Sequence, residues 1–407
     1  MKKGDVLTVC FACIVVQVMT GVLLLCFNAN VVLASDSFHD IMRRVSNSRI
    51  YETTSYIEVG VPDDQNAAMF LADIMHLTAP LTDDETIALR RARSNATVSD
   101  VDVETLSYFL KRNNKFINEA RRSFRMTTYF DGALFHPEKP TEPSPQKTLA
   151  VLLPCFEASS LLGLGIMPVD VHGALDLLEL ADLMSKTPAS ISDYMVYYFS
   201  MKKWAACARG MLRAGIKIRK DDILAMLRHV ESIHQPSNVY ATTLSAQMRL
   251  SKKLYDMAII GNSSFIGNNQ EAKKAMEDGL VEMALFISHM QDWLHANFKK
   301  ISNQYITQRA NIMSAKDKYI LAHAAIVSPM LEETLSLETE IGCLKTALCR
   351  IAVSSDGVSN SSESTPMCPG TAYRTNRMTG MPFQYLRISP SRFMVDTTPF
   401  TVPEVME

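Results

Sequence analysis

The chain is 407 residues long, more than one average domain, and its 47% hydrophobic and 21% charged residues are the balance of a globular protein. A formal net charge of −2 provides no field for nucleic acid or for acidic substrates. Only 16 Gly and 17 Pro punctuate the chain, which favours long helices over many short strands, and the 24 Met suit a helical core because the side chain is unbranched.

Lys2 and Lys3 precede an uncharged apolar run from Val6 to Phe27. As a helix that run would span about 33 Å, enough for the hydrocarbon core of a bilayer. The two lysines place the N-terminus in the cytoplasm and the rest of the chain outside. Two readings of residues 1–34 stay open. The run is longer than the apolar region of most signal peptides, which favours a retained transmembrane anchor. Val32-Leu33-Ala34 before Ser35 has the small residues of a cleavage site, which would leave a secreted or periplasmic body.

Residues 35–136 read as an N-terminal helical region. Ala67, Phe70, Leu71 and Ile74 recur at helical spacing and Pro80 ends that helix. Thr82-Asp83-Asp84-Glu85 is a helix start with acid in its first turn. Leu106, Leu110, Ile117, Ala120 and Phe124 mark another helix. Residues 137–147 hold Pro137, Pro140, Pro143 and Pro145 and read as an extended linker. A helical body is expected over 148–352. It includes an aromatic-rich helix from Ile191 to Leu212 and one opened by Lys220-Asp221-Asp222.

The clearest periodicity runs through Met276, Leu280, Met283, Ile287, Met290, Leu294, Phe298, Ile301 and Tyr305. A second run joins Leu337, Ile341, Leu344, Leu348 and Ile351. Both predict long amphipathic helices packed along a seam, with a break at Ser328-Pro329. Such helices also offer a surface for self-association or a protein partner. Residues 353–366 are a Ser- and Asn-rich linker, and 367–407 a β tail with strands at Phe383–Ile388 and Arg392–Val395. The expected fold is therefore mainly α: an N-terminal transmembrane or signal helix, a multi-helix bundle body and a short β-hairpin-like C-terminal tail.

No motif specifies catalysis, a metal or a cofactor. Gly163-Leu164-Gly165 lacks the third glycine of a dinucleotide loop. Ser200-Met201-Lys202-Lys203 fits Ser-x-x-Lys without its companion motifs. His289, Asp292 and His295 share a helix, but the two imidazoles cannot reach one ion without a third element. Glu332, Glu333, Glu338 and Glu340 read as a solvated helix face. Three of the eight Cys lie in the N-terminal apolar run, and the other five are too irregularly spaced for a disulfide framework. The most basic stretch runs from Arg90 to Arg125. Within it Arg112, Lys115, Arg121, Arg122 and Arg125 are the candidate contacts to anionic lipid or envelope polymer. The expectation is a non-enzymatic scaffold or interaction module. The alternatives are a hydrolase with a dispersed site and a binder of anionic envelope material.

Three segments resemble an uncharacterised family of exported or membrane-anchored helical proteins of planctomycetes and related bacteria. They are Ala174–Met184 with the helices after it, Glu338–Val353, and Asn376-Arg377-Met378-Thr379-Gly380-Met381-Pro382-Phe383-Gln384-Tyr385. The last is similar to a closing Asp-Pro-x-Thr-Gly-x-Pro-x-x-Tyr motif, with Asn376-Arg377 in place of Asp-Pro. The resemblance implies an exported helical fold and brings no activity, cofactor or site residue.

Overall fold

The computed structural model describes residues 61–94, 98–131, 145–165, 169–188, 190–214, 217–260, 284–313, 318–354, 373, 375–389, 392–401 and 405–406. The 1–34 segment and residues 355–366 of the expected linker lie outside the described residues, while Val353 and Ser354, expected in that linker, belong to the last helix. Among those described, no helix is long and apolar enough to cross a membrane.

The N-terminal helices are α1 (Ala67–Asp73), α2 (Asp83–Ser94), α3 (Asp100–Arg112) and α4 (Asn114–Ala120), followed by a 3-10 turn at Arg121–Arg125. Next come α5 (Pro145–Gly163), α6 (His172–Lys186), α7 (Ile191–Ala214), α8 (Lys220–Ser232) and α9 (Pro236–Ile260). Residues 284–294 form α10, Phe298–Met313 α11 and Lys318–Ser354 α12. The fold is mainly helical with a small antiparallel sheet at its C-terminal end. In that sheet β2 (Tyr385–Ser389) pairs with β3 (Arg392–Val395), and β3 with β4 (Thr398–Thr401). A short parallel pair joins β1 (Ile218–Arg219) to β5 (Val405–Met406). The expected hairpin is thus the first two strands of a three-stranded sheet.

Local chemistry explains where helices start. Thr82 Oγ1 accepts from the Glu85 amide (3.3 Å) while Glu85 accepts from the Thr82 amide (2.8 Å). Ser190 and Asp193 repeat the reciprocal pair at α7, and Ser99 caps α3 beside Asp102. These capping boxes satisfy amides that a helix start leaves without partners. Each acid is buried and also serves a tertiary contact: Glu85 takes Arg112, Asp102 takes Arg91, and Asp193 accepts from Gln146.

The 137–147 segment does not divide the core. Helix α5 begins at Pro145, inside the expected linker, where proline's missing N–H costs nothing in a first turn. Thr148 Oγ1 donates to Leu71 O at 2.8 Å, and the buried cluster runs from α1 through α12. Three further expectations are corrected. The helix expected through Leu106–Phe124 breaks at Asn113, whose side chain bonds the backbone of Ala79 on both sides. The long seam breaks at His295–Asn297, because the amides of Phe298 and Lys299 turn to the carbonyls of Arg377 and Met378. No break occurs at Ser328-Pro329: α12 runs through it, and its following turns are anchored by buried Leu331 and Leu335.

The seam itself is filled. Ile287, Met290, Leu294, Ile301 and Tyr305 are buried, as are Leu337, Ile341, Leu344, Leu348 and Ile351, against α7, α8, α9 and the chain's own α11 and α12. Met276, Leu280 and Met283 lie outside the described residues. Cys155, Cys207 and Cys343 are free and buried, as small core residues are. Cys349 is not free: it is disulfide-bonded.

Candidate functional site

From Leu337 to Ala352 helix α12 is buried on almost all sides, and the buried polar residues of α12 are the exceptions to an apolar interior. Thr334, Glu338 and Lys345 stand at 2% exposure or less. Glu338, read from sequence as one of a solvated row, sits instead at the centre of a polar nexus. Its Oε2 accepts from the Ser237 amide at the start of α9 (3.3 Å), and Oε1 lies 3.8 Å from Arg377 Nε. From α7, Tyr194 meets Thr334 at 2.5 Å and Tyr197 donates to His234 O at 2.8 Å. Tyr373 lies beside Tyr197, and Tyr240 stacks against Tyr194 with centroids 4.7 Å apart.

Burial pushes Glu338 above the ordinary carboxylate range, against the opposing pull of Arg377, the Ser237 amide and His295. Burial likewise raises Tyr194, Tyr197 and Tyr373, so all three hydroxyls stay neutral. The arrangement is a protonatable carboxyl behind a layer of neutral hydroxyls, with Arg377 and the exposed His295 on its outer side.

The outer layer comes from the C-terminal turn. Asn376 Oδ1 accepts from the amides of Met378 and Thr379, and its Nδ2 donates to Asp396. Gly380 closes this turn at φ +78°, a left-handed value that a side chain resists. A Cβ there would also meet the Asn297 side chain at 2.5 Å. The Thr379-Gly380-x-Pro382 motif is therefore a structural turn that seats Arg377. Replacing Gly380 by Ala is expected to cost about 1–2 kcal/mol, read as a lower urea midpoint, since the left-handed backbone alone costs that much.

The other candidate residues separate into two groups. Arg112 bridges buried Glu85 at 2.6 Å, and Arg121 grips Asp176 through two bonds, 3.0 and 2.7 Å. That pairing, led by the bond to Asp176, raises the Arg121 pKa further. Both guanidiniums fasten helices together. Arg122 pairs with Glu119 and lies over the Phe70 ring, yet stays 66% exposed. Lys115 and Arg125 are exposed, and so is Lys111.

Beside them α3 presents apolar side chains that sequence reasoning passed over. Val101 is 69% and Tyr108 62% exposed, and Val103 and, on α2, Ile87 are exposed too. Val101 and Tyr108 are spaced by seven residues and share one face of α3, with exposed Glu104 between them, while Lys115 lies beyond the break at Asn113, on α4. Of the remaining motifs, Lys203 binds Glu157 and Ser200 donates to Val196 O, so they form no Ser–Lys dyad. His289 stacks on Trp293. Among the described residues no three His, Cys, Asp or Glu side chains are grouped to hold a metal. No protein-family model, curated protein or solved structure matches the chain.

Proposed function

We propose that this protein is an exported, envelope-associated interaction module that rests the α3–α4 face on an anionic membrane surface. The apolar run at 6–27 holds the chain at the membrane or directs its export, with the helical body on the outer side. The observation that carries the reading is the exposed pair Val101 and Tyr108 on α3, followed by exposed Lys111 on the last turn of α3 and Lys115 on α4. An aromatic ring and aliphatic groups edged by lysines match the interface between acyl chains and acidic headgroups. Each contact would be weak. A chain anchored through its N-terminus keeps this face at high local concentration, so weak contacts suffice.

The test follows amide exchange over 100–125 in the full chain, reconstituted into phosphatidylcholine vesicles with or without phosphatidylglycerol. Slower exchange is expected with the acidic lipid at low salt, and loss of the effect at high salt. Lys111→Glu with Lys115→Glu is expected to weaken the effect by at least about 30-fold, from ~1 kcal/mol per surface cation lost before any repulsion is added. Identical exchange in the two vesicles at low salt overturns the proposal. Arg121 is a poor choice for this test, because its reversal would break the Asp176 pair inside the fold.

A further inference from the structure

We infer that the C-terminal segment 373–401 is an acid-tightened clasp: it docks over Glu338, and docking takes up a proton at that carboxyl. The clasp meets the body at several places, and its Phe393, Val395 and Phe400 are buried in the core. Its Arg377 and Met378 carbonyls accept the first amides of α11, at 2.9 and 3.0 Å. The Arg377 amide donates to Thr339 on α12 at 3.0 Å. Its guanidinium donates to the carbonyls of Leu294 and Ala296 that end α10. Phe383 lies on Gly342, where an added Cβ would stand 2.5 Å from the ring.

Glu338 lies directly beneath this contact. The groups facing it are Tyr194 and Tyr197 from α7, the Ser237 amide from α9, His295 from the end of α10, and Tyr373 and Arg377 from the clasp. Lifting the clasp removes Tyr373 and Arg377 and admits water. Docking therefore moves the carboxyl from water into a buried site, a transfer that penalises the ionised form. The clasp brings Arg377 in return, but 3.8 Å is too long for a hydrogen bond. The Arg377 bonds to the α10 carbonyls do not depend on the state of Glu338.

The sign follows from these terms. Burial outweighs Arg377, so the docked carboxyl binds its proton more tightly than the undocked one. Docking is then favoured as pH falls from the raised docked value toward the ordinary carboxylate value, and weakened as pH rises. Positive charge on His295 favours the ionised carboxylate and works against the effect. Asp396, held by Asn376 and the Gln384 amide, lies within the clasp itself.

Amide exchange of the full chain, corrected for the intrinsic effect of pH, tests the clasp at Phe298, Lys299 and Arg377, whose amides bond across the contact. Protection is expected to fall as pH rises, by about tenfold per pH unit at most, the limit for one proton. Glu338→Gln cannot ionise, so its protection should be flat with pH and at neutral pH at least equal to the parent. Arg377→Met removes the opposing cation, so the midpoint should move to higher pH even though the clasp is weaker throughout. The inference fails if the parent shows no slope or a rising one. It fails equally if Glu338→Gln keeps the parent slope, as control by Asp396 would require. Should the Gln variant not fold, an Arg377→Met midpoint that stays put or moves down is the overturning result.

Discussion

Replacing Glu157 by Ala is expected to destabilise the fold by about 3–5 kcal/mol, the cost of leaving a buried charge without its partner. Glu157 lies on α5 between Arg93 of α2 and Lys203 of α7. Arg93 donates to it twice, at 2.5 and 2.6 Å, and Lys203 binds the same carboxylate. Burial alone would raise its pKa, but Lys203 and Arg93 together outweigh burial and hold Glu157 below the ordinary carboxylate value. Lys203 is lowered as well, but there burial outweighs the upward pull of Glu157. The dependent partner is thus Lys203, whose side chain is far less exposed than that of Arg93. Urea unfolding followed by tryptophan fluorescence reads the loss, since Trp204 adjoins Lys203 and is fully buried. A carboxylate with a depressed folded pKa contributes stability above its unfolded value and loses it as pH falls through the folded one. The gap between parent and Glu157→Ala should therefore narrow in strong acid. A gap below 1 kcal/mol at neutral pH would mean that Lys203 finds water or another acceptor. Replacing all three residues by apolar ones of similar size should cost much less than Glu157→Ala, because no orphaned charge remains.

The same cluster shows what a sequence can and cannot reveal here. Helix identity was legible wherever local chemistry sets it: Thr82–Glu85 announces α2, Lys220-Asp221-Asp222 announces α8, and the apolar steps through Leu337–Ile351 mark the buried face of α12. Partners distant in sequence were not legible. The basic stretch from Arg90 to Arg125 is visible as charge, but Arg93, Arg112 and Arg121 find acids on other helices, and only folding brings those acids within reach. The seam break at His295–Asn297 was hidden because the apolar period continues across it. The cause is a pair of carbonyls from the C-terminal turn. Glu338 was misread because acids on a helix are ordinarily solvated. A signal existed in its spacing: Thr334, Glu338 and Lys345 recur at steps of four and seven beside the apolar run, and all three are buried. A helix enclosed on nearly every side must bury some polar residues, and those are the ones that join separate elements.

Close backbone approach gives the second large expected effect. Gly173, near the start of α6, faces α5 so tightly that an added Cβ would stand 2.4 Å from Ser160 N and 2.7 Å from Ser159 C. Both are main-chain atoms, so no rotamer change relieves the overlap and the helices must separate. Helix propensity pulls the opposite way, because Ala is favoured over Gly by about 1 kcal/mol in a helix interior. Overpacking costs about 1–3 kcal/mol where side chains can still adjust, and here backbone must move. The steric effect should win, and Gly173→Ala is expected to lose about 2 kcal/mol or more in urea unfolding. Gly210→Ala on α7 separates the two contributions. A Cβ there meets only the Leu164 Cδ1 methyl, at 3.3 Å, and a leucine end can shift by the few tenths of an ångström required. That variant should keep most of the propensity gain and be neutral or more stable by about 0.5–1 kcal/mol. Equal effects at the two glycines would mean that the α5–α6 contact is looser than the spacing at Gly173 requires. Opposite signs would identify that contact as the point where the N-terminal helices are locked onto α6 and α7.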